Sequence, residues 1–298
     1  MSEIDLYNKN FPLVIAEIGC NHKGDFKIAI EMLKIAKDFC KVDIVKFQKR
    51  CNKELLSEKE YNTPHPNPIN SYGKTYGEHR EFLEFTIDQN KKLKEMCEEM
   101  DLIYSTSVWD PTSAKEIIRI NPRLIKVPSA INTDERVLNI LFNEYEGQIH
   151  ISLGMTKRFE EEKIINLAEK ANCLNRIVLY HCISGYPVEN ENLYLNEIIR
   201  LKNFYEQKVH AIGFSGHHKG IAVDVAAFTL GANFFERHFT LDRTWKGTDH
   251  SASLEPDGLR RLKRDLLAAR SSLKSKPIEV LELEEIQRSK LKKIFNVN

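Results

Sequence analysis

The chain has 298 residues, 42% of them hydrophobic and 29% charged, an ordinary globular balance that excludes a disordered or fibrous protein. With 44 basic against 43 acidic residues the formal net charge is +1, so no bulk field recruits nucleic acid or anionic lipid, and any affinity for an anion must come from a local site. Six cysteines are scattered without a CxxC pair, which argues against a zinc knuckle or a disulfide framework and for a reduced, cytoplasmic setting. The opening MSEIDLYNKN lacks the basic-then-apolar form of a signal peptide. The most apolar long stretch, 221–235, is interrupted by Asp224 and too short to span a membrane.

In chain order, short apolar runs rich in β-branched residues are predicted as strands at 13–19, 43–48, 103–108, 124–129, 149–154, 176–182, 209–216 and 232–239. Helical patterns are predicted at 26–41, 88–100, 111–121, 133–145, 159–172, 193–207 and 221–230, with an eighth at 258–272. Eight strand–helix units of this size predict an α/β protein, a (β/α)₈ TIM barrel over residues 1–274. A doubly wound open sheet is the structural alternative. One connection, 49–86, is unusually long and carries Thr63-Pro64, His65-Pro66 and Asn67-Pro68; it reads as an ordered lid over the second strand's end, with an inert excursion as the alternative. Residues 275–298 read as a C-terminal helical tail.

Nearly every predicted strand ends in polar or ionisable residues: Glu17, Asn21 and His22; Lys46 and Gln48; Ser105 and Thr106; Lys126 and Ser129; Ser152; His181, Ser184 and Tyr186; Ser215 and His217; Glu236 and His238. In a barrel these ends converge on one mouth. Taken singly, each is an ordinary cap or a hydrogen-bonded core residue. Together they point to chemistry. Two lysines inside apolar strands, in DIVKFQ and LIKVPS, need an anion, because an unpaired buried charge is costly; with several hydroxyls around them they suit a ligand bearing both carboxylate and phosphate. His217 and His238 end neighbouring strands, roughly 5 Å apart, and can meet one divalent metal of the Mn, Fe, Co or Zn type. Asp249 and His250 follow closely and can add a ligand or orient a hydroxyl, whereas His218 should point the other way.

The segments AEIGCNHKG (16–24), VKFQ (45–48), STS (105–107), IKVPS (125–129), SLGM (152–155), HCISGYP (181–187), GFSGHHKG (213–220) and ERHFTLDRTWKGTDHSASLEP (236–256) resemble, as a set and in order, the phosphoenolpyruvate-condensing N-acetylneuraminate (sialic acid) synthase family. The wording of the last, with GKTYGEHREFLEF at 73–85, is similar to the animal-type members. The resemblance implies a metal-dependent condensation of phosphoenolpyruvate with an N-acetylmannosamine-like aldehyde, with or without a 6-phosphate, giving a sialic-acid-like nonulosonate and phosphate. It implies a divalent metal, usually Mn²⁺ with Mg²⁺ or Co²⁺ as alternatives, on His217 and His238. It implies Lys46, Thr106, Lys126, Ser129, Ser152, Ser184 and Ser215 around phosphoenolpyruvate, although many bacterial members have Asn where this chain has Ser184. Glu17, Gln48, Tyr186 and Asp249 would face the sugar. Glu17 is the candidate for positioning water or moving a proton, and Lys246 or Arg243 would meet a terminal phosphate. Most members also carry a C-terminal antifreeze-like domain that reaches the partner subunit's site. This chain is expected to lack it, so a homodimer would need a separate small protein to supply it, or a substrate without the acetamido group. The competing readings are a ketulosonate synthase acting on another aldose or aldose phosphate, and a non-catalytic barrel that binds sugar phosphate.

Overall fold

The protein is described by a computed structural model, which covers residues 4–8 and 10–293; the closing IFNVN and part of the opening segment lie outside the described residues. Eight strands form one closed parallel barrel in sequence order, with the first pairing the eighth. They are β1 (Leu13–Gly19), β2 (Ile44–Lys49), β3 (Ile103–Val108), β4 (Leu124–Val127), β5 (Gln148–Ser152), β6 (Ile177–Cys182), β7 (Ala211–Ser215) and β8 (Phe234–His238). This closure is the (β/α)₈ barrel and rules out the open sheet. Four expected strands end early at their mouths, β4 and β5 by two residues and β7 and β8 by one. β4 stops at Val127 because Pro128 cannot donate to the ladder and Ser129 opens a short 3₁₀ turn. β7 stops at Ser215, where the chain turns toward the site.

The strands build two cores. Leu13, Ile15, Ile44, Ile103, Leu124, Val178, Tyr180, Ala211 and Phe234 fill the barrel's lower interior, closed beneath by Leu6. Alternate residues such as Val14, Val45, Tyr104, Ile125 and Ile149 face the surrounding helices. This parity decides which strand-end residues reach the mouth: from Ile103 the inward set is Ser105 and Ser107, and from Leu124 it is Lys126.

The helices are α1 (Phe26–Ile35), α2 (Asn52–Leu55), α3 (Glu58–Asn62), α4 (Tyr76–Phe82), α5 (Ile87–Glu99), α6 (Pro111–Ile120), α7 (Glu135–Glu144), α8 (Arg158–Lys170), α9 (Asn196–Tyr205), α10 (Ala222–Thr229), α11 (Pro256–Ser272) and α12 (Glu282–Leu291). Their starts follow ordinary capping chemistry. Asp110 accepts from the Ser113 amide ahead of Pro111, and Thr86 and Gln89 form a reciprocal capping box. The predicted helix 26–41 is α1 followed by a π-helical turn, Ala36–Cys40.

The long 49–86 connection is ordered. It carries α2, α3, a 3₁₀ turn and α4, tied by Tyr76 N donating to Thr63 O at 2.8 Å and by an edge-to-face contact of the His65 and His79 rings at 4.3 Å. Beyond α11, α12 is almost wholly exposed. Among the described residues no helix is long and apolar enough to cross a membrane.

Candidate active site at the barrel mouth

The C-terminal strand ends open into a cavity of about 340 Å³. Its floor is a buried network of four charges. Lys46 and Lys126 are 3% and 2% exposed, and Glu17 and Glu236 are 2% and 7% exposed. Lys46 Nζ lies 2.6 Å from Glu17 Oε2 and 3.7 Å from Glu236 Oε1, and donates to Ser107 Oγ at 2.7 Å. Lys126 Nζ lies 2.9 Å from Glu236 Oε2 and 3.9 Å above the Tyr180 ring. The strand register sets this up: Glu17 stands opposite both Lys46 and His238, and Ser107 opposite Lys126.

The two carboxylates are not equivalent. Burial, helped by the charge of Glu236, pushes Glu17 up to about 7. Burial also works against ionised Glu236, but Lys126 and Lys46 outweigh it and hold that carboxyl down to about 2. Burial keeps Lys126 below the usual lysine range, while for Lys46 the two carboxylates outweigh burial and raise it. Near neutrality the floor thus has one committed carboxylate against two lysines, leaving local charge for an anionic ligand.

Glu17 carries a prediction. Between about 4.5 and about 7 the unfolded chain holds Glu17 ionised while the fold holds it protonated, so stability falls as pH rises through this window. Replacing Glu17 by Gln is expected to remove that slope, on the order of 1 kcal/mol per pH unit. Denaturant midpoints of the two proteins from pH 4.5 to 7.5 check it; parallel curves would contradict the raised carboxyl.

On one side of the floor Gly154 passes close to two hydroxyls. Its N–H donates to Ser129 Oγ at 3.0 Å, and a Cβ added there would come within 2.4 Å of Ser184 Oγ and 2.7 Å of Ser129 Oγ. Only glycine leaves this small cradle open. Ser152 and Ser215 line the same cavity, Ser215 Oγ donating to Glu236 Oε1 at 3.4 Å. Gly19 at the end of β1 has φ +56°, and a Cβ there would press on Glu17 and Gln48 at 3.1 Å. Gln48 Nε2 donates to Glu17 Oε1 at 2.9 Å.

At β7 and β8 the rings of His217 and His238 are 5.5 Å apart, with Tyr186 packed 4.2 Å from His217. His217 Nδ1 meets Ile183 O at 3.0 Å, which makes Nδ1 the protonated nitrogen and leaves Nε2 with its lone pair. His238 Nδ1 is buried with no hydrogen-bond partner and lies 3.9 Å from Asp249 Oδ2. Burial holds the His238 imidazole down to about 4, so it is neutral at pH 7. Burial works against protonated His217, but the neighbouring Cys182 and the Ile183 carbonyl outweigh it and raise that imidazole, so a cation there would displace a proton from it. Two imidazoles and a carboxylate, one ring nitrogen unpartnered, fit a divalent cation. A second grouping, Cys51, Glu54 and Asp110, has ligand atoms within 4.8 Å of one another. There, however, Asp110 already accepts from Ser113 N, Ser113 Oγ and Cys51 N at 2.7–2.8 Å to hold the start of α6.

Of the residues expected at the site, Glu17, Lys46, Gln48, Lys126, Ser129, Ser152, Ser184, Tyr186, Ser215, His217, His238 and Asp249 line this one cavity. Thr106 does not. It has the outward parity of Tyr104 and Val108 and faces the helix layer, and Ser107 takes the place expected for it. Lys246 does not either: its Nζ sits 4.9 Å over the Tyr72 ring and its carbonyl accepts from Tyr72, beside a separate pocket that shares no lining residue with the mouth. Arg243 is held by Ser251 O on the exposed loop. Asn21, His22, His181, His218 and His250 turn away into packing, His218 toward Asp224 at 3.1 Å and His250 toward Thr240 Oγ1 at 2.7 Å. Residues not anticipated at the mouth include Arg50, Arg80, Trp109, Cys182, His65 and His79. The only trace of Arg50 and Arg80 in the sequence is that they lie in KFQKR and in the 73–85 run.

Fold and mouth together define the class, a (β/α)₈ barrel whose buried charges and histidine pair gather at the C-terminal strand ends, where barrel enzymes carry their chemistry. Comparison with known proteins gives the family. The NeuB family pattern matches residues 32–277, and the chain belongs to the NeuB family. Human N-acetylneuraminate-9-phosphate synthase is 35% identical over 285 residues, 94% of this chain and 76% of that protein. Campylobacter jejuni N,N'-diacetyllegionaminic acid synthase is 31% identical, over 84% of this chain and 74% of its own. The crystal structure of N-acetylneuraminic acid (sialic acid) synthetase from Leptospira borgpetersenii superposes with a TM-score of 0.80 at 26% identity, covering 97% of both chains. The chain is accordingly an enzyme of the condensing-transferase type.

Proposed function

We propose that the protein condenses phosphoenolpyruvate with an N-acetylmannosamine-like sugar aldehyde and water, giving a nonulosonate and inorganic phosphate. The observation that carries this reading is the floor of the cavity, where two buried lysines face one committed carboxylate beside the Gly154 cradle and across from the histidine pair. Burying that much charge is favourable only with further partners, and a small ligand with a carboxylate and a phosphate supplies them.

In this reading Lys46, Lys126 and the hydroxyls of Ser129, Ser152, Ser184 and Ser215 hold phosphoenolpyruvate with carbon 3 turned toward the sugar. Ser107 keeps Lys46 in place. Gln48, Tyr186 and Asp249 orient the acceptor so that its aldehyde carbon meets carbon 3 in near-attack geometry. His217, His238 and Asp249 would hold a divalent metal, which when bound supplies Lewis-acid polarisation of the acceptor carbonyl. A carbon–carbon bond then forms, water adds at carbon 2 of the former enolpyruvyl unit, and phosphate leaves. Glu17, which changes protonation near neutral pH, takes the proton of that water at Oε2, while Lys46 beside it balances the charge.

Phosphate release from phosphoenolpyruvate tests the reading, measured with Mn²⁺ across N-acetylmannosamine, its 6-phosphate, mannose 6-phosphate and diacetamido hexoses. Release that needs both a sugar and the metal is expected with an N-acetylmannosamine-type acceptor. Release with mannose 6-phosphate alone would transfer the protein to a different ketulosonate reaction. Silence across the panel with phosphoenolpyruvate unbound would remove the catalytic reading.

A further inference from the structure

The outer wall of the cavity, on the side of β2 and β3, is rich in donors and poor in acceptors. Arg50 follows β2, Trp109 follows β3, and Arg80 comes down from α4 of the lid. The Arg50 guanidinium carbon lies 4.5 Å over the Trp109 ring, and that of Arg80 lies 5.8 Å over Trp109 and 5.4 Å over Tyr76. Arg50 is partly satisfied: Nη1 donates to Glu84 Oε1 at 3.2 Å and to Cys20 Sγ at 3.3 Å, and Nη2 donates to Gln48 Oε1. Its Nε, however, is buried without a partner, and so is Trp109 Nε1. Arg80 donates to Tyr76 Oη at 3.1 Å, and among the described residues no carboxylate pairs with it. Glu84, the one carboxylate engaged here, is already taken by the side chain and backbone N–H of Arg50. The wall therefore holds two guanidinium charges against one carboxylate, with two buried N–H groups lacking acceptors. Burial of such donors is costly unless a ligand completes them.

Its position matters as much as its charge. In a closed eight-strand barrel β7, which carries His217, lies across the mouth from β3, which carries Trp109. A sugar with its aldehyde toward His217 and His238 extends its far end to this wall, and Gln48 bridges the two regions by contacting both Glu17 and Arg50. We infer that Arg80, Arg50 and Trp109 form a subsite for a phosphate monoester at the end of the acceptor sugar remote from its aldehyde. The inference rests on the condensation proposed above and names the acceptor class: a sugar phosphate, bound by the planar fork of arginine rather than by Lys246.

Arg50 also braces Glu84 and Gln48, so the test falls on Arg80. Full-length wild type, Arg80→Gln and Arg80→Lys are assayed with Mn²⁺, saturating phosphoenolpyruvate, and N-acetylmannosamine with and without its 6-phosphate. In Arg80→Gln the ratio of kcat/KM for the phosphorylated over the unphosphorylated acceptor is expected to fall about tenfold or more, the range for losing a charge-assisted bond, with Arg80→Lys recovering part of it. The KM for phosphoenolpyruvate should move little. An unchanged ratio, or a rise confined to the KM for phosphoenolpyruvate, would overturn the assignment. Should wild type turn over neither acceptor, the condensation reading fails, and calorimetric titration of the same sugar phosphate still decides the subsite: binding weakened about tenfold in Arg80→Gln supports it, and equal or absent binding overturns it.

Discussion

Replacing His238 by alanine is expected to lower turnover by roughly three orders of magnitude, while the barrel stays folded. Lewis-acid activation is worth several kcal/mol in the transition state, and each 1.36 kcal/mol is about tenfold in rate. His238 ends β8 beside His217, its Nδ1 lacks a partner, and burial keeps the ring neutral, so it is ready to bind a cation without first losing a proton. His217→Ala should behave alike, and both variants should lose bound metal in parallel with activity. Metal content, turnover and thermal unfolding measured on the same preparations check this. Full turnover in His238→Ala at low metal would remove the histidine pair from the chemistry.

The largest stability effect is expected from Asp224→Ala. Arg237 is 1% exposed although it stands on β8 next to the site residues Glu236 and His238. It points outward, where Nη1 lies 2.5 Å from Asp224 Oδ2 and donates to Gly220 O at 2.9 Å, and Nη2 donates to His218 O at 2.6 Å. Asp224 also receives His218 Nε2 at 3.1 Å. Removing the carboxylate leaves a guanidinium buried and uncompensated, which costs about 3–5 kcal/mol. Because these bonds staple the loop that follows β7, metal affinity at His217 should weaken as well. Denaturant midpoints give the first effect and metal titration the second; a loss under 1 kcal/mol would show that water or a neighbour replaces Asp224.

Much of this was legible in the sequence because the barrel imposes two simple rules. Parallel strands buried on both faces read as apolar runs, and their C-terminal ends gather the chemistry; β1 and β3 occupy the predicted positions 13–19 and 103–108. The misplaced residues are those for which one of these rules was not enough. STS offers three successive hydroxyls, and only the inward position of Ile103 on the barrel floor decides that Ser107 rather than Thr106 reaches the mouth. The wording of its loop points Lys246 toward the substrate, but the docking of that loop on Tyr72 of the lid, 174 residues away in the chain, draws it aside. Arg50 and Arg80 stand outside every strand-end motif, and only the folding of the 49–86 connection over the mouth brings them onto Trp109. The sequence marks Glu236 only as a strand-end residue; its place as the shared partner of both lysines depends on the ring of strands closing between β8 and β1.

The central claim is that this mouth joins a three-carbon enol phosphate to a sugar aldehyde. Incubating metal-loaded protein with phosphoenolpyruvate and N-acetylmannosamine 6-phosphate, and following product mass together with phosphate, tests it most directly. The account predicts one new acid whose mass equals the sugar phosphate plus a pyruvate unit, formed in step with one phosphate and lost in Lys126→Met. Phosphate released with pyruvate as the only other product, or an adduct that persists at full yield in Lys126→Met, would contradict it.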